Sequence, residues 1–175
     1  RSWKLTSEDV DAPISAYYCS VNWNKEAILI DFTDPDEFEG LIQKIKEADI
    51  LIANFKKGDA EKFGLDYPKM RAVNPNLIYG EITGFGPDSD RVAYDLILQA
   101  ESGFMSMNGT PESGPVKMPV ALIDVLAGHQ LRAGIMMALY ERDAMKKGGA
   151  HVQVSLHDAA VGALANQATN WLMAQ

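Results

Sequence analysis

One carboxylate in this sequence stands where it could act as a nucleophile. Asp124 follows an apolar run and precedes the small residues Ala127 and Gly128, at the start of a long helical pattern. A carboxylate near a helix N-terminus is stabilised by the positive end of the helix dipole, and a carboxylate can attack an acyl carbon. Aspartate is also a favoured helix N-cap, a role that contributes about 1 kcal/mol. Both alternatives, cap and nucleophile, remain open from these residues alone.

The other reactive residue types offer weaker candidates. His129, His151 and His157 do not have the spacing of metal ligands, so we predict no metal site. Cys19 has no base beside it in sequence and is predicted to be a small buried side chain. The stretch GFGP at 84–87 lacks the third glycine of a dinucleotide-binding fingerprint, and it predicts a tight turn.

Composition and charge narrow the function classes. The 175 residues suffice for one domain with a sizeable core. The formal net charge of -8 argues against a nucleic-acid or membrane-surface binder, since no basic stripe or tail is present. No uncharged run reaches the roughly 18 residues that a membrane span needs. A single cysteine favours a reduced compartment, and we expect a cytoplasmic protein.

The hydrophobic pattern predicts an α/β fold with a Rossmann-like parallel sheet flanked by helices. The buried, β-branched runs at 27–32, 50–54 and 77–82 are typical of parallel strands. A helix at 34–49, with Asp34 as its cap and Pro35 in its first turn, separates the first two. Strand, helix and strand in this order form a right-handed βαβ unit. Further along we predict short helical pieces in 56–75, a short helix at 94–103, a long helix at about 123–147, a strand at 151–156 and a helix from 157 to 175.

Several blocks of the sequence resemble one known family. The stretches SAYYCSVNWNKEAILIDF, ADILIANFKKGDAEKFGLDYPKMRAVNPNLIYGEITGFGP, AYDLILQAESGFMSMNG and VALIDVLAGHQLRAGIMMALYER are similar to successive blocks of the family III coenzyme A transferases. The resemblance runs in order over essentially all of 1–175. It implies the core of a CoA-binding large domain, with acyl-CoA and small carboxylic acids as substrates and a homodimer of interlocked rings.

The resemblance also assigns a role to Asp124. The family's nucleophilic aspartate lies in the block that matches VALIDVLAG, and Asp124 aligns with it. The implied reaction proceeds through an aspartyl-CoA thioester on this side chain and requires no ATP or metal. Covalent catalysis of this kind divides one difficult exchange into easier steps.

The resemblance implies a set of CoA-binding residues as well. They occupy positions where the family contacts CoA or lines its groove: Arg1, Lys25, Asn54, Phe55, Lys62 and Tyr94. Lys62 stands where the family often has arginine, so it keeps the charge but loses bidentate geometry. Tyr94 stands where the racemase branch of the family has a catalytic histidine. Because the reference pKa of tyrosine is about 10, Tyr94 would be a poor base at neutral pH, and it favours a transferase.

Two alternatives to a transferase remain. One is a 2-methylacyl-CoA racemase or epimerase, against which Tyr94 counts. The other is a noncatalytic CoA-binding fragment, because the chain starts at Arg1 and stops within a helical pattern. We therefore expect a single domain, 1–175, that is truncated at both ends. The long helix also carries apolar residues in several directions, which suits a helix buried on all sides in a homodimer: Ala133, Ile135, Met136, Met137 and Leu139.

Overall fold

A three-stranded parallel sheet forms the centre of the chain in the computed structural model, which describes residues 3–174. The strands are β1 (Ile50–Ala53), β2 (Ile78–Thr83) and β3 (Ala150–Ser155), in the order β1-β2-β3. Ile78 of β2 is in register with Ile50 on one side and Ala150 on the other. The sheet, with helices around it, confirms the predicted α/β class.

Helices account for most of the remaining regular structure in the described part of the chain. Helix α2 begins as predicted, because the Asp34 carboxylate accepts the backbone N–H groups of Asp36 and Glu37. The long predicted helix is present as α7. The full set is α1 (Ala16–Val21), α2 (Pro35–Glu47), α3 (Asp59–Phe63), α4 (Tyr67–Val73), α5 (Asp95–Glu101), α6 (Phe104–Met107), α7 (Leu122–Met145), α8 (Leu156–Ala163) and α9 (Asn166–Met173).

The predicted strand at 27–32 is wrong. Residues 25–31 have no regular secondary structure, and Leu29 is 98% exposed. An apolar, β-branched run becomes a strand only when a neighbouring strand satisfies its backbone hydrogen bonds. Within residues 3–174 no strand pairs with this run, and β1 pairs only with β2. The third strand of the observed sheet is β3, which corresponds to the run predicted at 151–156.

The N-terminal part of the described chain, which includes α1, makes little contact with the core. None of the residues of α1 is buried, so Cys19 is exposed and the prediction of a buried thiol is wrong. Trp3 stacks on Tyr17 at a ring-centroid distance of 6.3 Å, yet both rings remain largely exposed. A small apolar side chain is buried only if its helix has a partner surface, and α1 has little of one here.

The two faces of the sheet build separate parts of the core. On one face, Ile78 packs against Leu131 and Ile135 of α7. Gly80 lets that helix come close, since a Cβ there would lie 3.1 Å from Ile135 Cδ1. The opposite face carries Tyr79, which packs with a cluster that includes Met70 of α4. Both faces are therefore covered, as is usual for parallel sheets.

Helix α7 joins the sheet to the rest of the domain. Its 24 residues are long and apolar enough to cross a membrane, a criterion that buried core helices also meet. A stripe of buried residues faces the sheet and α8: Ile123, Ala127, Leu131, Ile135 and Ala138. The other side is open, with Met136 60% and Met137 70% exposed. The prediction of burial on all sides is therefore not met within the single chain.

Candidate functional site

A cleft of about 1010 Å³ opens at the carboxyl ends of the three strands. Asn54 follows β1, Thr83 ends β2, and Gln153 lies near the end of β3, and all three line it. The loop between β2 and α5 and the start of α7 close its sides. Open α/β sheets bind ligands at this edge, so the cleft is the candidate site.

Asp124 lies in the wall of this cleft, inside the first turn of α7. The helix has Ala121 at its N-cap and no side-chain cap bond. The alternative in which Asp124 serves as the cap is therefore wrong. The side chain is exposed to the cleft, and its carboxylate makes no hydrogen bond to any residue of the described range 3–174. Its lone pairs are available to a ligand.

Asp95 performs the capping that was one of the two alternatives for Asp124. Its Oδ1 accepts the backbone N–H of Ile123, the second residue of α7, at 2.7 Å. The side chain of a neighbouring helix thus satisfies one of the N–H groups that every helix start leaves unpaired. Partial burial and the charge of Asp95 together raise the pKa of Asp124 above the usual value for aspartate.

The fully buried Gln99 links Asp95 to the segment that precedes α7. Its Nε2 donates to Asp95 Oδ2 at 2.6 Å and to the carbonyl of Val120 at 3.2 Å. Its Oε1 accepts the backbone N–H of Met118 at 2.7 Å. Sequence reasoning missed both side chains, although they lie one turn apart in the block YDLILQ that carried part of the resemblance.

Three of the predicted CoA-binding residues share the cleft with Asp124. Asn54 Nδ2 donates to the carbonyl of Ile82 at 2.7 Å, which fixes the end of β1 against β2. The ring of Phe55 lies 6.2 Å from that of Phe63 and offers an apolar surface. Tyr94, 68% exposed, lines the cleft immediately before α5.

The remaining predicted contacts are not brought into this cleft. Lys25 Nζ donates to the carbonyl of Val21 on the exposed N-terminal part. Lys62 Nζ lies over the ring of Phe63, 5.2 Å from its centroid. Neither lysine is among the lining residues, and Arg1 lies outside the described residues. A role for these three in binding CoA stays a prediction.

Cations that the sequence reasoning did not single out line the cleft instead. Lys56 and Lys57 follow Phe55 directly, and Lys57 Nζ donates to the carbonyl of Asp88. Arg91 packs its guanidinium over the ring of Phe85, 3.8 Å from the centroid, and pairs with Glu101. The sequence signal was the pair of lysines immediately after an apolar strand. These cations supply positive charge to the cleft of a chain whose net charge is -8.

The side of the cleft formed by the sheet carries a fixed polar cluster. Glu81 Oε2 lies 2.9 Å from His151 Nε2 and accepts a hydrogen bond from Gln153 Nε2 at 2.8 Å. The imidazole stacks on the ring of Tyr67 at 4.5 Å. Burial and the charge of Glu81 raise the pKa of Tyr79 to about 12, so this phenol stays protonated. Between residues 3 and 174, no three of the His, Cys, Asp and Glu side chains are grouped to hold a metal ion.

Comparison with known proteins gives consistent matches. The chain is 38% identical to the succinate–glutarate CoA-transferase of Agrobacterium fabrum, over 99% of this chain and 44% of that protein. It is 34% identical to the acetyl-CoA:oxalate CoA-transferase of Acetobacter aceti, over 90% of this chain and 41% of that protein. The chain thus spans less than half the length of these curated relatives.

The same relationship is seen in three dimensions. The crystal structure of a CAIB/BAIF family protein from Brucella suis superposes with a TM-score of 0.85 at 40% identity. The superposition covers 91% of this chain and 43% of that one. The sequence model of CoA-transferase family III matches residues 1–175, the whole chain. This chain belongs to CoA-transferase family III.

Proposed function

We propose that this chain carries the catalytic aspartate and much of the CoA-binding cleft of an acyl-CoA:carboxylate CoA-transferase, with Asp124 as the nucleophile. The observation that carries the proposal is the state of that carboxylate. It lies in the cleft without a hydrogen bond within the described range and without a cation pairing it. A carboxylate held in salt bridges has its lone pairs occupied, whereas this one can approach an acyl carbon.

The proposed reaction has four balanced steps. An Asp124 oxygen attacks the thioester carbonyl of the donor, which forms a mixed anhydride and expels the CoA thiolate. The thiolate attacks the aspartyl carbonyl, which gives an aspartyl-CoA thioester and releases the donor acid as a carboxylate. The acceptor carboxylate then attacks the aspartyl thioester, and the released thiolate attacks the acceptor's acyl carbon. The products are a new acyl-CoA, the donor acid and the regenerated Asp124 carboxylate, so that one thioester is broken and one is formed over the whole exchange.

The position of Asp124 suits the charge that develops in these steps. Each addition places negative charge on an oxygen beside the first turn of α7, where backbone N–H groups carry partial positive charge. The raised pKa of Asp124 reflects a carboxylate that is incompletely solvated, and such a group gives up less hydration when it attacks. Asp95 occupies the N–H of Ile123, which leaves Asp124 itself unengaged.

Other residues of the cleft match the parts of CoA. CoA carries several phosphate charges, and Lys56 and Lys57 offer local cations near the end of β1. Phe55 supplies an apolar surface and Asn54 a polar one beside it. Tyr94 stands at the position where the racemase branch has its catalytic histidine, so a racemase would lack one of its bases here. We include Asn54, Phe55 and Tyr94 in the proposed CoA-binding set.

We also propose the acid class, the assembly and the compartment. Relatives are named for transfer between succinate and glutarate and for oxalate, so small dicarboxylic acids are the first acceptors to test.

The intact protein is proposed to be a homodimer, which would cover the exposed Met136 and Met137 of α7. The single cysteine supports a cytoplasmic protein; a monomer by light scattering at micromolar concentration would contradict the assembly.

The substitution Asp124→Asn tests the nucleophile. An amide keeps the shape but cannot form the anhydride, so we expect transferase activity to vanish while thermal stability is at least as high as in the wild type. The assay belongs in a form of the protein that spans the length of its relatives, with succinyl-CoA as donor and glutarate as acceptor. If Asp124→Asn keeps more than about a tenth of the turnover, a change of about 1.4 kcal/mol in barrier, the covalent role is wrong.

A further inference from the structure

The buried side chain of Gln99 forms hydrogen bonds to the segment that precedes α7. Segment 118–120 leads into the helix that carries Asp124, and Gln99 contacts it twice, at the N–H of Met118 and the carbonyl of Val120. The amide is 0% exposed, so these bonds do not compete with water. Among the described residues, the buried polar side chains are those of Ser15, Gln99 and Ser155.

The same amide orients the cap of α7. Gln99 Nε2 donates at 2.6 Å to the Oδ2 of Asp95, and the other oxygen, Oδ1, accepts the N–H of Ile123, the residue before Asp124. Because both of its oxygens accept hydrogen bonds, the Asp95 carboxylate is restricted to one rotamer and one orientation. Gln99 therefore fixes the first turn of α7 from two sides, through the backbone before the helix and through its cap.

We propose that Gln99 is a positioning residue for Asp124: it holds the segment before α7 and the Asp95 cap so that the nucleophile points into the cleft. This inference rests on the proposed function. Gln99 is fully buried and is not a lining residue, so its effect is on turnover rather than on binding. A displacement of about 1 Å in a reacting group can lower a rate by about 100-fold.

Asn74 provides a matched control. Its amide also makes three bonds: Nδ2 donates to the carbonyls of Ile45 and Ala48, at 3.1 and 2.9 Å, and Oδ1 accepts the N–H of Asn76 at 3.0 Å. It joins the end of α4 to the end of α2, and like Gln99 it does not line the cleft, but none of its partners belongs to α7 or to segment 118–120. Asn74→Leu therefore reports the loss of an equivalent structural link without a change near Asp124.

The experiment compares Gln99→Met with Asn74→Leu in the longest form of the protein, with kcat and KM measured separately on folded material. We expect both variants to melt at lower temperature, but only Gln99→Met to lose about 100-fold in kcat, with its KM for acyl-CoA within about 3-fold of wild type. Equal kcat values in the two variants would overturn the proposal. If instead Asp124→Asn proves active, the proposed function fails and the role of Gln99 fails with it.

A second variant covers the case in which Gln99→Met does not fold. Gln99→Glu keeps the shape and the acceptor for Met118, but places a carboxylate against Asp95. When the introduced carboxyl is protonated, it can donate to Asp95 as the amide does. We expect its kcat, relative to wild type, to recover as pH falls, whereas a purely structural link predicts parallel pH profiles. Parallel profiles would contradict the positioning role.

Discussion

Replacing Asp95 by alanine removes the cap of α7 and one partner of Gln99 in a single step. Loss of the cap at Ile123 costs about 1 kcal/mol, since its N–H is left without the acceptor now 2.7 Å away. Loss of the bond from Gln99 costs about 1 kcal/mol more, because the buried Nε2 of Gln99 then keeps only its longer contact to the carbonyl of Val120. Removing a charge that repels Asp124 offsets a part of this sum.

The net loss is thus about 1 to 2 kcal/mol in the free energy of unfolding. For a domain of this size that lowers the melting temperature by about 2 to 8 °C. Thermal unfolding followed by circular dichroism near neutral pH measures it. Asp90→Ala is the charge-matched control, since the exposed Asp90 makes no side-chain hydrogen bond in the described part of the chain. We expect that control to stay within about 0.5 kcal/mol of wild type; an Asp95→Ala variant equally stable would refute the capping role.

Three further predictions follow from the fold and the cleft. Asp124→Asn should stabilise the chain near neutral pH: the folded pKa of Asp124 is raised, so its ionised form opposes folding above that pKa. The advantage, measured by denaturant unfolding across pH, should vanish as pH falls below the unfolded value of about 3.9, and an advantage independent of pH would contradict it. Gly149→Ala should lower the free energy of unfolding by about 1 to 3 kcal/mol, because its Cβ would lie 2.3 Å from the Leu77 carbonyl oxygen. Gly40→Ala, inside α2 with open space around it, should instead raise the free energy of unfolding by about 0.5 to 1 kcal/mol. Lys57→Glu should weaken CoA binding by about 10-fold at low salt, measured by calorimetry, and less at high salt; a larger loss in Lys62→Glu would place the phosphates elsewhere.

Much of the fold could be predicted from local pattern. The α2 cap at Asp34 depends on neighbours close in sequence, and the runs of β1 and β2 were recognised by their apolar, β-branched composition; all three features are present in the structure. The run at 27–32 has the same composition as β1 but no strand beside it among the described residues. A strand depends on a distant partner, and a single run of residues does not reveal whether that partner exists.

The candidate site was only partly predictable, because it too depends on contacts between residues that are distant in sequence. The resemblance pointed to Asn54, Phe55 and Tyr94, and the structure places all three in the lining of the cleft, while their role in binding CoA stays a prediction. The cap, however, comes from Asp95, 28 positions before the residue whose N–H it accepts. A cap supplied by another helix leaves no signal in the local sequence. For that reason Asp124, the acid nearest the start of α7, remained a candidate for the cap of that helix.

Trapping of the covalent intermediate tests the central claim most directly. The protein would be incubated with an acyl-CoA donor and hydroxylamine, digested, and analysed by peptide mass spectrometry. We predict a hydroxamate on Asp124 that requires the donor and is absent from Asp124→Asn, with Asp95 unmodified. A transferase-active protein with no modification at Asp124, or with the hydroxamate on another carboxylate, would contradict the assignment.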